Sequence, residues 1–335
     1  MQYNAYAAYE AKANLKPFSY DSGELGPNEI EVKISHCGIC HSDIHLINND
    51  WMISQYPLVP GHEIVGYVTG MGSEVKGFRE GDRVGIGWQC GSCGECHLCE
   101  SGQENLCGNS QATCNGHHGG YADYVRSDAG FVIHIPDGLD SAEAAPLLCG
   151  GITVFSPLDR HGIKPGMKVG IFGIGGLGHM AVQFASKMGA ETYALSSSPD
   201  KAREASELGA AGFINMKDKN EMLKHLGSFD YILSTISADY DWNSIISLLK
   251  HNATLCYVGA APSPVAIHAF TFISKQINVT GSAIGSPEQI RKMLEFAAEH
   301  GVKAMVETVP MSDVQNAMAR VVENKVRYRM VLENK

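Results

Sequence analysis

Cys93, Cys96, Cys99 and Cys107 fall in the run CGECHLCESGQENLC, a C-x2-C-x2-C-x7-C spacing that can gather four thiolates around one ion. Four soft sulfurs on short spacers suit tetrahedral zinc, and a full thiolate shell leaves no position for a substrate. Such a site is structural, a staple for a loop with little apolar sequence of its own. Cys90 precedes this lobe at the same interval, but its use would break the x7 gap. Other zinc-type donors are dispersed, Cys40 in GICHSDIH, His62 and Glu63 in GHE, and Cys149 in LLCGG; spacing by itself does not collect them, and buried structural side chains are the alternative. Two thiolates and one imidazole neutralise Zn2+ and leave a fourth position for water or a substrate oxygen. At local spacing alone Cys37 is nearly as good a candidate as Cys40, and His41 lies in the same segment.

A different chemistry is written in Gly173-Ile174-Gly175-Gly176-Leu177-Gly178, which fits G-x-G-x-x-G between a strand signal and a helix signal. Gly173 permits the tight turn, Gly175 lets the backbone approach a pyrophosphate, and Gly178 allows close helix–strand packing. The helix N-terminus offers amides and a positive dipole end to phosphate oxygens. The next strand ends in Ser196-Ser197-Ser198-Pro199-Asp200-Lys201, where an NAD-binding chain places a carboxylate on the ribose. Three hydroxyls and Lys201 suit a 2′-phosphate, with Asp200 assigned to the following helical turn, so NADP is expected over NAD. Val258 and Gly259 end a later strand on the cofactor side, and Ser282 follows the last one.

The elements that position these residues divide the chain. Residues 1–149 are rich in glycine and turns, with β-branched runs such as Ile30 to Ile34 alternating at period two, the texture of an irregular, mostly β domain. Between 150 and 283 strand and helix signals alternate: strands near 168–172, 192–195, 231–233, 254–258 and 277–280, with helices near 181–188, 201–208 and 243–249. That alternation implies a parallel sheet covered on both faces. The stretch 284–335 holds two amphipathic helices, 287–300 and 312–323, and a final apolar run, 328–332, expected to return to the first domain.

Composition narrows the function classes. The chain has 335 residues, ten cysteines and a net charge of −10 without a basic block, which argues against nucleic acid or an anionic membrane as partner. The opening residues MQYNAYAAYEAKANLKPF lack a basic start followed by an apolar run, and no stretch has the length of a membrane span. Clustered cysteines without a leader favour a reducing compartment, and a cytoplasmic protein is expected.

Across essentially its whole length the chain resembles the zinc-containing medium-chain alcohol dehydrogenases, in particular the cinnamyl alcohol dehydrogenase branch. The resemblance rests on GICHSDIH, PLVPGHEIVG, the four-cysteine lobe, PLLCGGITVFSPL, GIGGLGHM, SSSPDK and TGSAIGSPEQI, all in order. It implies an α/β protein: a doubly wound Rossmann sheet plus a mostly β, GroES-like catalytic domain carrying a structural zinc lobe at about 90–108. It implies Cys40, His62 and Cys149 as catalytic zinc ligands, with Glu63 able to approach the metal, and therefore two zinc ions per chain. Ser42 resembles the family's hydroxyl relay and His45 its outer general base, reached through the cofactor ribose. Asp43 is expected to orient the ligand imidazole. Thr153 corresponds to the segment facing the nicotinamide, and Arg329 to an arginine at the pyrophosphate. Trp51, Trp88 and Phe270 are candidates for an apolar substrate wall, and His117 and His118 read as solvated. The implied activity is interconversion of small primary alcohols and aldehydes, aromatic or aliphatic, with NADP(H), by a homodimer. A polyol dehydrogenase would commonly place glutamate where this chain has Cys149.

Overall fold

In the computed structural model, which describes residues 1–334, the period-two alternation of the N-terminal sequence becomes strands. Tyr3, Ala5 and Ala7 are buried along Gln2–Ala7, which pairs antiparallel with Lys16–Asp21. The longest strand, Glu29–Ile39, buries Ile30, Val32 and Ile34 on one face. Its register against Ile64–Met71 shifts between Ile34 and His36, inserting Ser35 as a bulge. A bulge exchanges the two faces of a strand, so beyond it Cys37 and Ile39 turn inward. The sheet runs Val306–Pro310, Arg329–Glu333, Glu29–Ile39, Ile64–Met71, Arg83–Ile86, Val132–His134, with Tyr124–Asp128 also pairing Glu29–Ile39. The C-terminal apolar run thus joins the first sheet, antiparallel to Glu29–Ile39.

The helix Pro287–His300 shows why sequence dictates this element so fully. Ser286 and Gln289 form a capping box, Pro287 opens the first turn, and Gly301 closes the helix at φ 67°. Pro287, Ile290, Met293, Leu294 and Ala297 are buried, one stripe at helical spacing. Residues 1–152 and those from Ile284 onward form one compact unit around this mostly antiparallel sheet, and Thr153–Ala283 form a second.

The second unit is a six-stranded sheet in the order Gly212–Asn215, Glu191–Ser196, Lys168–Phe172, Phe229–Ser234, Leu249–Tyr257, Asn278–Gly281. Every pairing is parallel. Numbered along the chain the order is 3-2-1-4-5-6, which reverses direction beside Lys168–Phe172, where doubly wound folds bind ligands. The helix Gly178–Lys187 buries Met180, Ala181, Val182, Phe184 and Ala185 and gives way to Gly189 at φ 90°. No helix among the described residues is long and apolar enough to cross a membrane.

Candidate functional site

Cys40 is the N-cap of the helix His41–Asn48: its sulfur accepts from the Ser42 amide, while Asp43 accepts from the Cys40 amide. This capping box, with sulfur in place of a hydroxyl, puts the thiol at the positive end of the helix, which favours thiolate. His62 and Glu63 directly precede the strand Ile64–Met71, and Cys149 sits between the turn Ala145–Leu148 and the helix Gly150–Arg160. The structure brings one donor atom each of Cys40, His62, Glu63 and Cys149 within 4.8 Å of one another. His62 Nε2 lies 3.2 Å from Cys149 Sγ. The hydrogen bond with Cys149 holds the Cys40 thiol well below its ordinary range against the effect of burial, and the same contact drives Cys149 well above. Cys37 points elsewhere, into the space beside Gly61 and Gly120, and burial pushes its thiol up.

Asp43, fully buried, joins the segments that carry these donors. Its carboxylate accepts from Cys40 N at 3.0 Å, Gly61 N at 2.9 Å, His62 Nδ1 at 2.8 Å and Tyr121 OH at 3.3 Å. With the proton on Nδ1, the Nε2 lone pair of His62 is free to face the donor set. Cys114 Sγ packs 3.8 Å from His62 Nδ1. Tyr121 and Cys114 were not anticipated, since they reach this carboxylate from a distant loop.

Glu63 is buried, and one oxygen is held by Arg329 Nη2 while Oε2 has no hydrogen-bond partner. Burial raises the carboxyl to about 7, with the Arg329 charge pulling the other way. The carboxylate fits because residue 38 is glycine: an added Cβ there would stand 2.0 Å from Oε2. Arg329, expected at a pyrophosphate, is thus a buried partner of Glu63. Ser42 is half-buried, two residues after Cys40 in the first turn of the helix. His45 Nδ1 meets Asp50 at 2.8 Å, leaving Nε2 unengaged by that contact. Trp88 packs edge-on to His62 and Trp51 edge-on to Trp88, at 4.8 and 6.1 Å between ring centres. Phe270 belongs to the second unit, 75% exposed on the helix Ala269–Lys275. His118 is not solvated: it packs on Tyr20, with centroids 4.1 Å apart, and His117 hydrogen-bonds the Thr113 carbonyl.

In the four-cysteine lobe the neighbouring sulfurs of Cys93, Cys96, Cys99 and Cys107 are 3.5 to 3.9 Å apart. A tetrahedral ion with metal–sulfur bonds of about 2.3 Å needs sulfurs about 3.8 Å apart, so the cage fits zinc. Backbone amides of Glu95 and Cys96 bring the Cys93 thiol down to about 7.

The second unit carries the dinucleotide loop. Gly173 has φ 96°, and a Cβ on Gly178 would lie 1.8 Å from the Gly173 carbonyl oxygen, so both glycines are required by the turn. A Cβ on Gly175 would meet nothing within 4 Å, which leaves an open cradle over the loop for a pyrophosphate. Gly176 and Leu177 complete the turn, whose leading amides lie ahead of the helix Gly178–Lys187. Ser196 Oγ accepts from the Ser198 amide at 3.2 Å, Ser197 is exposed, and Lys201 Nζ donates to the Ile174 carbonyl. Arg203 pairs with Glu207 along its own helix. Val258 and Gly259 give their amides to the Ser234 carbonyl, Ser282 its amide to Tyr257, and Thr153 is half-buried in the helix Gly150–Arg160.

Residues 26–137 match the alcohol dehydrogenase GroES-like domain, and 176–299 the zinc-binding dehydrogenase domain. The aldehyde reductase AdhA of Synechocystis sp. is 45% identical over 98% of both chains. The cinnamyl alcohol dehydrogenase SbCAD4 of Sorghum bicolor has a TM-score of 0.95 at 39% identity, covering 99% of this chain and 98% of that one. CAD from Helicobacter pylori, solved with NADP(H), has a TM-score of 0.91 at 33% identity, covering 99% and 98%. With its GroES-like unit, its doubly wound Rossmann sheet and these relatives, the chain belongs to the zinc-binding medium-chain alcohol dehydrogenase family.

Proposed function

We propose that this protein interconverts primary alcohols and aldehydes, aromatic or aliphatic, using NADP(H) and two zinc ions per chain, as a homodimer. The observation that carries the reading is the set of half-buried Cys40 with buried His62 and Cys149, gathered beside a Glu63 oxygen that has no partner. Three soft or borderline donors suit zinc and leave a coordination position open, as catalytic sites do. The names of the Synechocystis and Sorghum relatives support this substrate class, and the NADP(H) complex of the Helicobacter protein supports the cofactor. Ser196, Ser197, Ser198 and Lys201 supply hydroxyls and a cation, without a carboxylate at the strand end, in keeping with a 2′-phosphate. The lobe sulfurs suit the second zinc. Exposed Phe270 and Ile273, on the helix that precedes the outer strand Asn278–Gly281, supply an apolar face for a second copy.

When bound, zinc lends Lewis acidity to a substrate oxygen, and a nicotinamide exchanges hydride with its carbon. The chain's own groups do the rest. Asp43 fixes the His62 tautomer through Nδ1, and Arg329 holds Glu63 back through one carboxylate oxygen. Trp88, edge-on to His62, supplies an apolar wall beside the donor set, with Trp51 beyond it. In this reading Ser42 Oγ hands on the hydroxyl proton. His45, its Nδ1 engaged by Asp50, takes it up at Nε2.

Mixing the protein with an aromatic aldehyde and following nicotinamide absorbance tests the reading. NADPH is expected to be used about 10 to 100-fold more efficiently than NADH, the effect of one hydrogen bond to a charged group. Zinc-loaded protein inert toward aldehydes and primary alcohols with both cofactors would overturn the activity. Equal efficiency with NADH would overturn the cofactor preference.

A further inference from the structure

Three consecutive carbonyls of the glycine loop each accept a hydrogen from a different side chain. Gly173 accepts from Thr235 Oγ1 at 2.9 Å, Ile174 from Lys201 Nζ, and Gly175 from His179 Nδ1 at 2.9 Å. In a trans peptide the carbonyl and the following N–H point in opposite directions. Tying a carbonyl behind the loop therefore aims the next amide outward, toward the face where phosphate oxygens are held. Thr235 follows the strand Phe229–Ser234, and His179 is in the first turn of the loop's own helix. Lys201 differs from both. It is a cation, and it comes from the turn Pro199–Lys201 after the second strand, 27 residues along the chain.

We propose that Lys201 is a positioning residue for the dinucleotide loop. Its ammonium holds the Ile174 carbonyl, so the ribose end and the pyrophosphate end of the cofactor site are coupled through one side chain. The coupling to a 2′-phosphate rests on the NADP reading above, whereas the tether does not require that phosphate. An ammonium has three donors and can keep the carbonyl while another turns to a phosphate oxygen. A lysine that only contacts the 2′-phosphate is dispensable for cofactors without it. A lysine that shapes the loop is needed by every dinucleotide.

The experiment measures NADPH and NADH dissociation constants by calorimetry for the unmodified protein, Lys201→Met and Lys201→Arg. Methionine keeps the apolar stem and removes the donors, which limits any effect on folding. Lys201→Met is expected to weaken NADH by about 5-fold and NADPH by more, and Lys201→Arg to restore NADH binding. In the free protein, amide hydrogen exchange of residues 174–178 is expected to rise several-fold in Lys201→Met and to return to normal in Lys201→Arg. NADPH binding lost with NADH binding and exchange unchanged overturns the tether and leaves the NADP reading standing. Equal affinity for both cofactors in the unmodified protein, with both weakened in Lys201→Met, overturns the NADP reading and supports the tether.

Discussion

Gly38 acts through an atom it lacks. The Glu63 carboxylate fills the volume where a Cβ on residue 38 would stand, and Arg329 anchors its other oxygen. Gly38→Ala should push the carboxylate off its arginine and change how long the metal is kept, at a stability cost of about 1–3 kcal/mol for overpacking. Chelator competition reads this as a changed zinc-release rate, and a rate equal to that of the unmodified protein would reject the role. Ser42→Ala should lower turnover by about 10² to 10⁴-fold with zinc content unchanged. His45→Gln should cost less, because water can partly replace an outer base, and should change the pH profile of alcohol oxidation. Unaltered profiles in both variants would remove the pair from the proton path. Much at this scale was not legible in the sequence. Spacing leaves Cys37 nearly as good a candidate as Cys40, because what separates them is a bulge at Ser35 that turns Cys37 inward beneath Gly61. Glu63 and Arg329 are 266 residues apart, and no local pattern joins them. Asp43 was expected to orient a ligand imidazole, as carboxylates commonly do, and it meets His62 Nδ1 at 2.8 Å; its part in the helix cap was not read.

Elements with their own start and stop signals were read almost to the residue. Pro287–His300 has both caps and an unbroken apolar stripe, and Lys168–Phe172 is an apolar run closed by a glycine turn. The strands Gly212–Asn215 and Val306–Pro310 and the helices Lys219–Leu223 and Ala269–Lys275 were not. Each is too short for periodicity to emerge, and three of the four bury no side chain while Gly212–Asn215 buries only Ile214. The four-cysteine lobe is the opposite case, loop in every local respect yet plain from ligand spacing. Because metal binding there is folding free energy, Cys93→Ser should lower the melting temperature and expose residues 92–108 to protease first. Cys40→Ser should leave melting close to normal while abolishing turnover and removing one zinc of two. Loss of both ions in Cys40→Ser would show that the two sites are not independent.

At the scale of the molecule, the outer strand Asn278–Gly281 has one neighbour, and Ile273, 71% exposed, stands on the helix just before it. Ile273→Glu should convert a homodimer to monomers by light scattering. A mass of one chain in the unmodified protein would dismiss the dimer. The two units also differ in how they are written: one is continuous, Thr153–Ala283, and the other is closed only by residues from Ile284 onward. That division sets a timetable on the ribosome. The dinucleotide unit is complete while the strand Arg329–Glu333 has yet to be made, so the unit that begins first is the last to finish. At about 5–20 residues per second, Glu63 waits roughly 13–53 s for the arginine that will hold it. During that interval a carboxylate destined for burial has no partner, which favours keeping it in water and the sheet open. Docking of the strand Arg329–Glu333 against Glu29–Ile39 is therefore the step that gives Glu63 its arginine.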